Sequence, residues 1–448
     1  MSDSDLQLTS TSPPRNLRTV IIAALGASTL EWYDFYIYGT AAALVFNKVF
    51  FPSVNPALGT LAAFATFGVG FLFRPLGGII FGHFGDTVGR KKLLVIAMMI
   101  MGIATFLIGL LPTYATIGVL APVLLVVLRA AQGLAVGGQY GGAMLLVTEN
   151  APANRRGYYG SFSHIGPSLA VILSNVVFLI VVAAVSPEAL VDWAWRIPFL
   201  LSAVVVIAGI YMQLKIEDTA EFRELQERRA AEVVNSVEPK RRSPIIEALR
   251  THPKQILQAG GMILIIQVYY YVLIVFTISY ATTHDIDRTT ALIAVLLSSV
   301  ATVATIPIVA SMSDRRDRRG VLLWAAVATT ITAIPYVLLL ETGSVVLLFV
   351  AVIVPGLTLG ALYGPMAAFY YEMFSAEVRY SGASIGYQLG AVIGGGFSPL
   401  IATSLLEATG SLIPVGIFIT VAGLLSIWAI ASTTARKAAA AEQVSTTT

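Results

Sequence analysis

The chain has 448 residues, of which 56% are hydrophobic and 12% charged, with a formal net charge of +3 and a mean hydropathy of +0.80. Soluble domains carry about 25% charged residues and less than half apolar ones, so a water-soluble enzyme, a secreted module and a nucleic-acid binder are excluded. Cysteine is absent, which removes disulfides and thiolate metal sites. The four histidines, His83, His164, His252 and His284, have no metal-ligand spacing, and no G-x-x-x-x-G-K-[ST] phosphate loop occurs. No metal, nucleotide or other cofactor is expected, and no catalytic residue.

Apolar runs of about 20 residues between short charged loops read as membrane-spanning helices. In chain order they are Thr19–Leu44, Ala57–Phe81, Leu93–Leu111, Val119–Thr148, Gly157–Val185 and Trp193–Lys215, then Ile256–Thr282, Ala291–Met312, Val321–Leu340, Val345–Phe374, Gly382–Leu406 and Ile413–Thr433. Residues 1–18 are polar, and the first apolar run is too long for a signal peptide, so it is expected to stay as a helix. The expected organisation is a tail (1–18), a six-helix bundle (19–215), a central loop (216–255), a second six-helix bundle (256–434) and a second tail (435–448). The loop, with its charged run Glu221 to Arg229 and amphipathic Ile245 to Arg250, reads as a linker with two short helices.

Basic residues assign the orientation. Arg15, Arg18, Arg90-Lys91-Lys92, Arg155-Arg156, the central loop, Arg315 to Arg319, Arg379 and Arg436-Lys437 fall on one side, against Lys48, Arg196 and Arg288 on the other. Cytoplasmic loops carry the excess of Lys and Arg, so both termini and the central loop are expected in the cytoplasm. The halves also repeat. One offset carries Tyr140-Gly141 onto Tyr363-Gly364, Glu149 onto Glu372 and Arg156 onto Arg379; a second carries Asp86, Arg90 and Lys91 onto Asp314, Arg318 and Arg319. Two six-helix halves in one orientation are the major facilitator arrangement, with substrate between the halves near the bilayer midplane.

Helix one contains Glu31-Trp32-Tyr33-Asp34-Phe35-Tyr36. A carboxylate inside a membrane helix costs about 2.5–3.5 kcal/mol and needs a partner or a wet cavity. Glu31 and Asp34 share a helix face. Asp34 lies about 15 Å below the outer end of helix one, and Arg129 lies about 15 Å below the outer end of helix four. Opposite charges at one depth suit proton coupling: a substrate anion that engages Arg129 releases Asp34, or the Asp34–Glu31 pair, to take a proton. A static salt bridge between helices one and four is the alternative. Along helix four, Gly133, Gly137 and Gly141 form a smooth packing ridge. Gln139 on that helix and His164 on helix five fall at similar depth and are candidate substrate groups, His164 alternatively being a structural histidine. Arg74 sits nearer the cytoplasmic end of helix two, where its side chain would snorkel.

The second half carries no acid or base at mid-depth. Of its polar groups, Gln267, Tyr271, Tyr387 and Gln388 are the candidates for hydrogen bonding and ring stacking against a substrate, since consecutive tyrosines cannot all face one cavity. Gly166-Pro167, Pro355-Gly356, Gly364-Pro365 and Gly394-Gly395-Gly396 are expected flexing points. Between helices two and three runs Gly82-His83-Phe84-Gly85-Asp86-Thr87-Val88-Gly89-Arg90-Lys91-Lys92. Its glycines permit a tight turn, and Asp86 can pair with Arg90 or face a helix N-terminus across the bundle.

That last run resembles the G-x-x-x-D-x-x-G-R-[RK]-[RK] signature of the major facilitator superfamily, in which the loop latches the cytoplasmic side. The resemblance makes Gly82, Asp86, Gly89, Arg90 and Lys91 gating residues; a charged loop that only fixes topology is the alternative. Glu31 to Phe35, Phe73-Arg74-Pro75-Leu76-Gly77-Gly78, Arg129 through Gly142, Arg250-Thr251-His252-Pro253 and Arg379 through Gln388 resemble the superfamily's metabolite:proton symporter branch, and Tyr38 through Lys48 look most like the shikimate permeases. Two departures stand out: Gln139 replaces a usual glutamate, and Glu217-Asp218-Thr219-Ala220 lacks the usual proline. The long C-terminal coiled coil of osmosensing betaine carriers is missing. The resemblance implies an all-α membrane protein of major facilitator fold, twelve helices in two pseudo-symmetric six-helix bundles. It also implies a monomer in a bacterial inner membrane that imports a small organic acid with protons by alternating access, driven by the proton gradient. A proline/betaine-type zwitterion carrier and an exporter of the same fold are the alternatives. A membrane metalloenzyme or a seven-helix receptor fits less well, for want of clustered histidines and by helix number.

Overall fold

The computed structural model describes residues 17–88, 90–137, 147–148, 151–215, 249–374 and 378–433. Every long described element is helical. They are α1 (Leu17–Ala41), α2 (Pro56–Val88), α3 (Arg90–Leu110), α4 (Leu120–Gly137), α5 (Arg156–Ala184), α6 (Ile197–Lys215), α7 (Pro253–Thr283), α8 (Arg288–Arg315), α9 (Arg318–Glu341), α10 (Val345–Met373), α11 (Ser381–Thr409) and α12 (Ile413–Ala431). Nine of the described helices are long and apolar enough to cross a membrane, and Val95–Leu110 and Ala194–Gly209 are shorter apolar stretches. Most expected ends agree with the observed ones within a few residues. Helix six starts later, at Ile197, because Ala194–Arg196 forms a separate 3-10 turn. The far end of helix four with Gln139 and Gly141, Gly89, the loop residues 216–248, and residues 1–16 and 434–448 of the tails lie outside the described residues.

Local chemistry sets several boundaries. The Asp287 carboxylate accepts from the Thr289 and Thr290 amides to start α8, and Asp317 accepts from the Gly320 amide to start α9. Gly410, at φ +66°, ends α11 in the left-handed conformation that a Cβ disfavours. Of the expected flexing points, Gly364-Pro365 does interrupt a helix, separating Val345–Tyr363 from Met366–Met373. Gly394-Gly395-Gly396 falls in a π turn, Ala391–Gly396. At Pro167 and Pro355 the helix runs on, because a membrane helix can satisfy the one carbonyl a proline frees. Two more π turns stand at matching places in the two halves, Ala42–Phe46 directly after α1 and Val272–Phe276 within α7.

Burial orders the helices. In α7, 89% of the apolar window is buried, against 39–56% in the other spans measured, so α7 is central. The stretch Trp32 to Phe46, through the end of α1 and its following π turn, is buried throughout. Ile103 on α3, Ile207 on α6, Trp324 and Ile331 on α9, and Leu424 and Trp428 on α12 point outward, which is the surface a bilayer accepts. The halves meet where α5 lies along α8 and α2 lies against the π turn of α11. Between α2 and α4 the backbones touch: a Cβ at Gly133 would strike the Gly70 carbonyl, and one at Gly137 the Arg74 carbonyl. The expected glycine ridge of helix four therefore packs on α2 at both of its described positions.

Candidate functional site

Arg129 is wholly buried on α4. Its guanidinium carbon lies 4.0 Å from the Phe35 ring centre, 4.2 Å from Tyr38 and 4.9 Å from Phe67, a cation–π box that replaces part of its hydration. Gly70 makes the room: a Cβ there would stand 2.7 Å from Arg129 Nε. Arg129 Nη1 donates to Gln132 Oε1 (3.0 Å), Gln132 Nε2 donates to Thr105 Oγ1 (2.7 Å), and Thr105 Oγ1 donates to the Met101 carbonyl (2.8 Å).

Asp34 is also fully buried, and its carboxyl faces Thr105. The Thr105 hydroxyl donates to Met101, and among the described residues neither carboxyl oxygen has a hydrogen-bond partner. Asp34 and Arg129 thus form no ion pair; the chain from Arg129 through Gln132 ends at Thr105, beside the Asp34 carboxyl. Glu31 lies on α1, but its side chain is outside the described residues. Gln132 and Thr105 escaped the sequence reading; a glutamine one turn beyond a buried arginine is the only signal that pointed to them.

Arg74 departs from expectation. Snorkelling would leave the guanidinium in water, yet the side chain has 0% exposure. Trp32 and Phe35 of α1 close over it with Phe71 of its own helix, at 5.1, 4.3 and 4.0 Å from ring centre to guanidinium carbon. The aromatic face of α1 competes for the cation and wins over the interface.

A narrow cavity lies between the halves, lined by Tyr36 of α1, Pro167 of α5, Ile266, Gln267, Tyr270 and Tyr271 of α7, Thr302 of α8, Leu359 and Tyr363 of α10, and Tyr387 of α11. Gln267, Tyr271 and Tyr387 come together there as candidates. Gln388 does not line it; the side chain is buried elsewhere with Oε1 unpartnered. Tyr270 and Tyr271 both reach the cavity because neighbours 100° apart on a helix can flank one void, while Tyr269 turns away and donates to the Thr332 carbonyl (3.1 Å). His164 reaches the cavity wall indirectly: its ring stacks on Tyr363 at 4.0 Å, and Nδ1 donates to the Tyr363 carbonyl (3.0 Å), leaving Nε2 without a partner.

Of the gating motif, Gly82 and Asp86 lie near the end of α2, and Arg90 and Lys91 open α3, but their side chains are outside the described residues. The repeat of the motif in the second half is described. Asp314 accepts from the Gly157 and Tyr158 amides at the start of α5 (2.7 and 2.8 Å), and from Arg318 Nη2 (2.8 Å). Arg318 also pairs with Glu372. One carboxylate thereby binds an arginine on its own loop and caps a helix across the halves, both alternatives weighed for Asp86. Nearby, Arg156 of the first half and Arg379 of the second lie over the Tyr371 ring (4.7 and 3.7 Å).

Residues 19–438 match the family model described as sugar (and other) transporter. The chain is 42% identical over 391 residues to the shikimate transporter of Escherichia coli (87% of this chain, 88% of that protein). It is 32% identical over 413 residues to the proline/betaine transporter of Salmonella typhimurium (92% and 82%). A D-xylose-proton symporter has a similar solved structure, with a TM-score of 0.70 at 15% identity over 92% of this chain and 96% of that one.

Proposed function

Since this chain belongs to the sugar (and other) transporter family of the major facilitator superfamily, whose members are transporters and not enzymes, we propose that it imports a small organic acid in symport with protons. The carrying observation is the first-half polar chain: a boxed guanidinium on Arg129, hydrogen-bonded through Gln132 to Thr105, which stands beside a buried Asp34 carboxyl that has no partner among the described residues. A carboxylate that engages Arg129 competes with Gln132 for it, and the freed amide re-orders the chain that ends beside Asp34. Asp34 carries the proton, with Glu31 as its partner in titration. The remainder of the substrate occupies the cavity, where Tyr36, Tyr271, Tyr387 and Gln267 offer rings and hydrogen bonds. His164 and Gln139 assist the substrate, and the paired motif loops latch the cytoplasmic face, Asp314 through its bonds to α5 and Arg318 and Asp86 in like manner. The termini lie in the cytoplasm and the membrane is a bacterial inner one, in keeping with the basic loops. The identity to a shikimate transporter makes shikimate the first substrate to try.

Uptake of labelled shikimate into proteoliposomes, acidic outside, tests this. Accumulation above equilibrium that vanishes with the pH gradient is the expected result; gradient-independent equilibration, or none with any acid, would refute it. One observation favours a second reading. Five tyrosines, Tyr36, Tyr270, Tyr271, Tyr363 and Tyr387, surround the cavity, an arrangement that also suits a quaternary ammonium. Competition by glycine betaine or proline, but not by acids, would support that reading.

A further inference from the structure

Arg74 is a second buried guanidinium, and the fold leaves donors on both it and Arg129 unused. Among the described residues, Nε and Nη2 of Arg74, and Nε and Nη2 of Arg129, have no hydrogen-bond partner, although both side chains are fully buried. Ring faces stabilise the cationic plane but cannot accept the N–H groups at its edge, so the Nε and Nη2 edge of each guanidinium retains its demand for an acceptor.

The two cations adjoin. Arg129 lies over Gly70, where a Cβ would be 2.7 Å from its Nε and 3.1 Å from its Cζ. Arg74 leaves the same face of α2 one turn later, about 6 Å along the axis. Both guanidinium carbons sit against the one Phe35 ring, at 4.3 and 4.0 Å. Tyr271 connects this place to the cavity. Its ring packs on Phe35 and Phe71 (6.4 and 5.2 Å), it lies within electrostatic reach of both arginines, and it lines the cavity.

We propose that Arg74 and Arg129 together form a carboxylate subsite, reached past Tyr271, with Arg74 as a substrate-binding residue. Planar forked donors match the two oxygens of a carboxylate. The ligand class is a compound with one compact carboxylate and a ring or short chain that extends into the tyrosine-lined cavity. This deepens, and rests on, the organic-acid reading.

The test is calorimetric titration of the purified full-length protein and its Arg74→Gln and Arg74→Lys variants. The probes are shikimate, 2-oxoglutarate, citrate, L-proline and glycine betaine, with the methyl ester of whichever binds. The wild type is expected to prefer the acid over its ester by more than tenfold. Arg74→Gln should weaken the acid at least tenfold and leave the ester within twofold, so that the preference collapses. A merely structural arginine would weaken both ligands alike. Should Arg74→Gln fail to fold, Arg74→Lys keeps the charge over the rings but loses the fork, and its preference should fall at least threefold. An acid-to-ester preference unchanged in either variant, or a wild type that binds none of the five, overturns the subsite. If only proline or betaine binds, and binding requires Arg74, the subsite stands and the organic-acid reading falls. If an organic acid binds with the preference unchanged in the variants, the reverse holds.

Discussion

Gly70→Ala tests the arginine box without touching a charge. The added Cβ would stand 2.7 Å from Arg129 Nε and 3.1 Å from Cζ, whereas carbon and nitrogen settle at about 3.5 Å or more. The guanidinium must retreat by about 0.8 Å, since the other side of the contact is helix backbone. Phe35, Tyr38 and Phe67 stand around it at 4.0, 4.2 and 4.9 Å, so retreat displaces a ring or stretches the 3.0 Å bond to Gln132 past hydrogen-bond range. Overpacking of this kind costs about 1–3 kcal/mol, and a reacting group misplaced by about 1 Å costs about 100-fold in rate. Shikimate uptake into proteoliposomes is therefore expected to fall 10- to 100-fold, with a thermal midpoint only a few degrees lower. Adding Arg129→Ala removes the clash, so the double variant should be no worse than Arg129→Ala alone, a non-additive pair. Uptake by Gly70→Ala within twofold of the wild type would refute the reasoning, for it would mean the box yields freely or Arg129 takes no part in transport.

Asp34→Asn should abolish accumulation driven by a pH gradient while sparing exchange of internal for external shikimate; equal loss of both activities would remove Asp34 from coupling. Asp314→Asn replaces the charge that caps α5, where each amide bond to a carboxylate contributes about 1.5–3 kcal/mol. Hydrogen exchange at the Gly157 and Tyr158 amides should accelerate at least tenfold, and unaltered protection would show that Asp314 is no latch. On α2, a Cβ at Gly78 would meet only the Gly137 carbonyl at 3.3 Å, but a Cβ at Gly137 would drive into the Arg74 backbone. Gly137→Ala should lower the thermal midpoint by several degrees more than Gly78→Ala, as overpacking against backbone costs about 1–3 kcal/mol; equal shifts would contradict the crossing.

Membrane helices were legible because their physics is local. An apolar run, a charged loop and the side on which arginines gather are all visible along one strand of text, and most of the described helix ends fall close to where hydropathy places them. Asp34 and Arg129 stood out for the same reason, as charges where charge is costly. Their link through Gln132 and Thr105 did not stand out, because a glutamine or threonine in an apolar helix has many ordinary uses. Arg74 was misread because depth along one helix says where a side chain starts, while Trp32 and Phe35, which enclose it, come from another helix. Asp314 was reached from its likeness to Asp86: an internal repeat carries geometry from one half of a chain to the other.

The same rings that hold the cations also hold the halves. Phe71 supports the Arg74 guanidinium at 4.0 Å, and on its other contacts it meets Tyr271 of α7 and the π turn of α11, where a Cβ at Gly395 or Gly396 would come within 2.8 or 2.7 Å of it. Phe35 touches both arginines and also packs on Tyr271. First-half cations and second-half helices therefore share side chains, with no slack at the glycines to absorb a shift. An anion that draws the two guanidiniums together must move Phe35 or Phe71, and a movement of either is a movement of the surface on which α7 and α11 rest. Close packing resists gradual deformation and favours discrete rearrangement. If the arginine pair binds an anion as proposed, its occupancy and the angle between the halves would be coupled by contact alone, with aromatic packing carrying the coupling across a second half that has no acid or base at mid-depth.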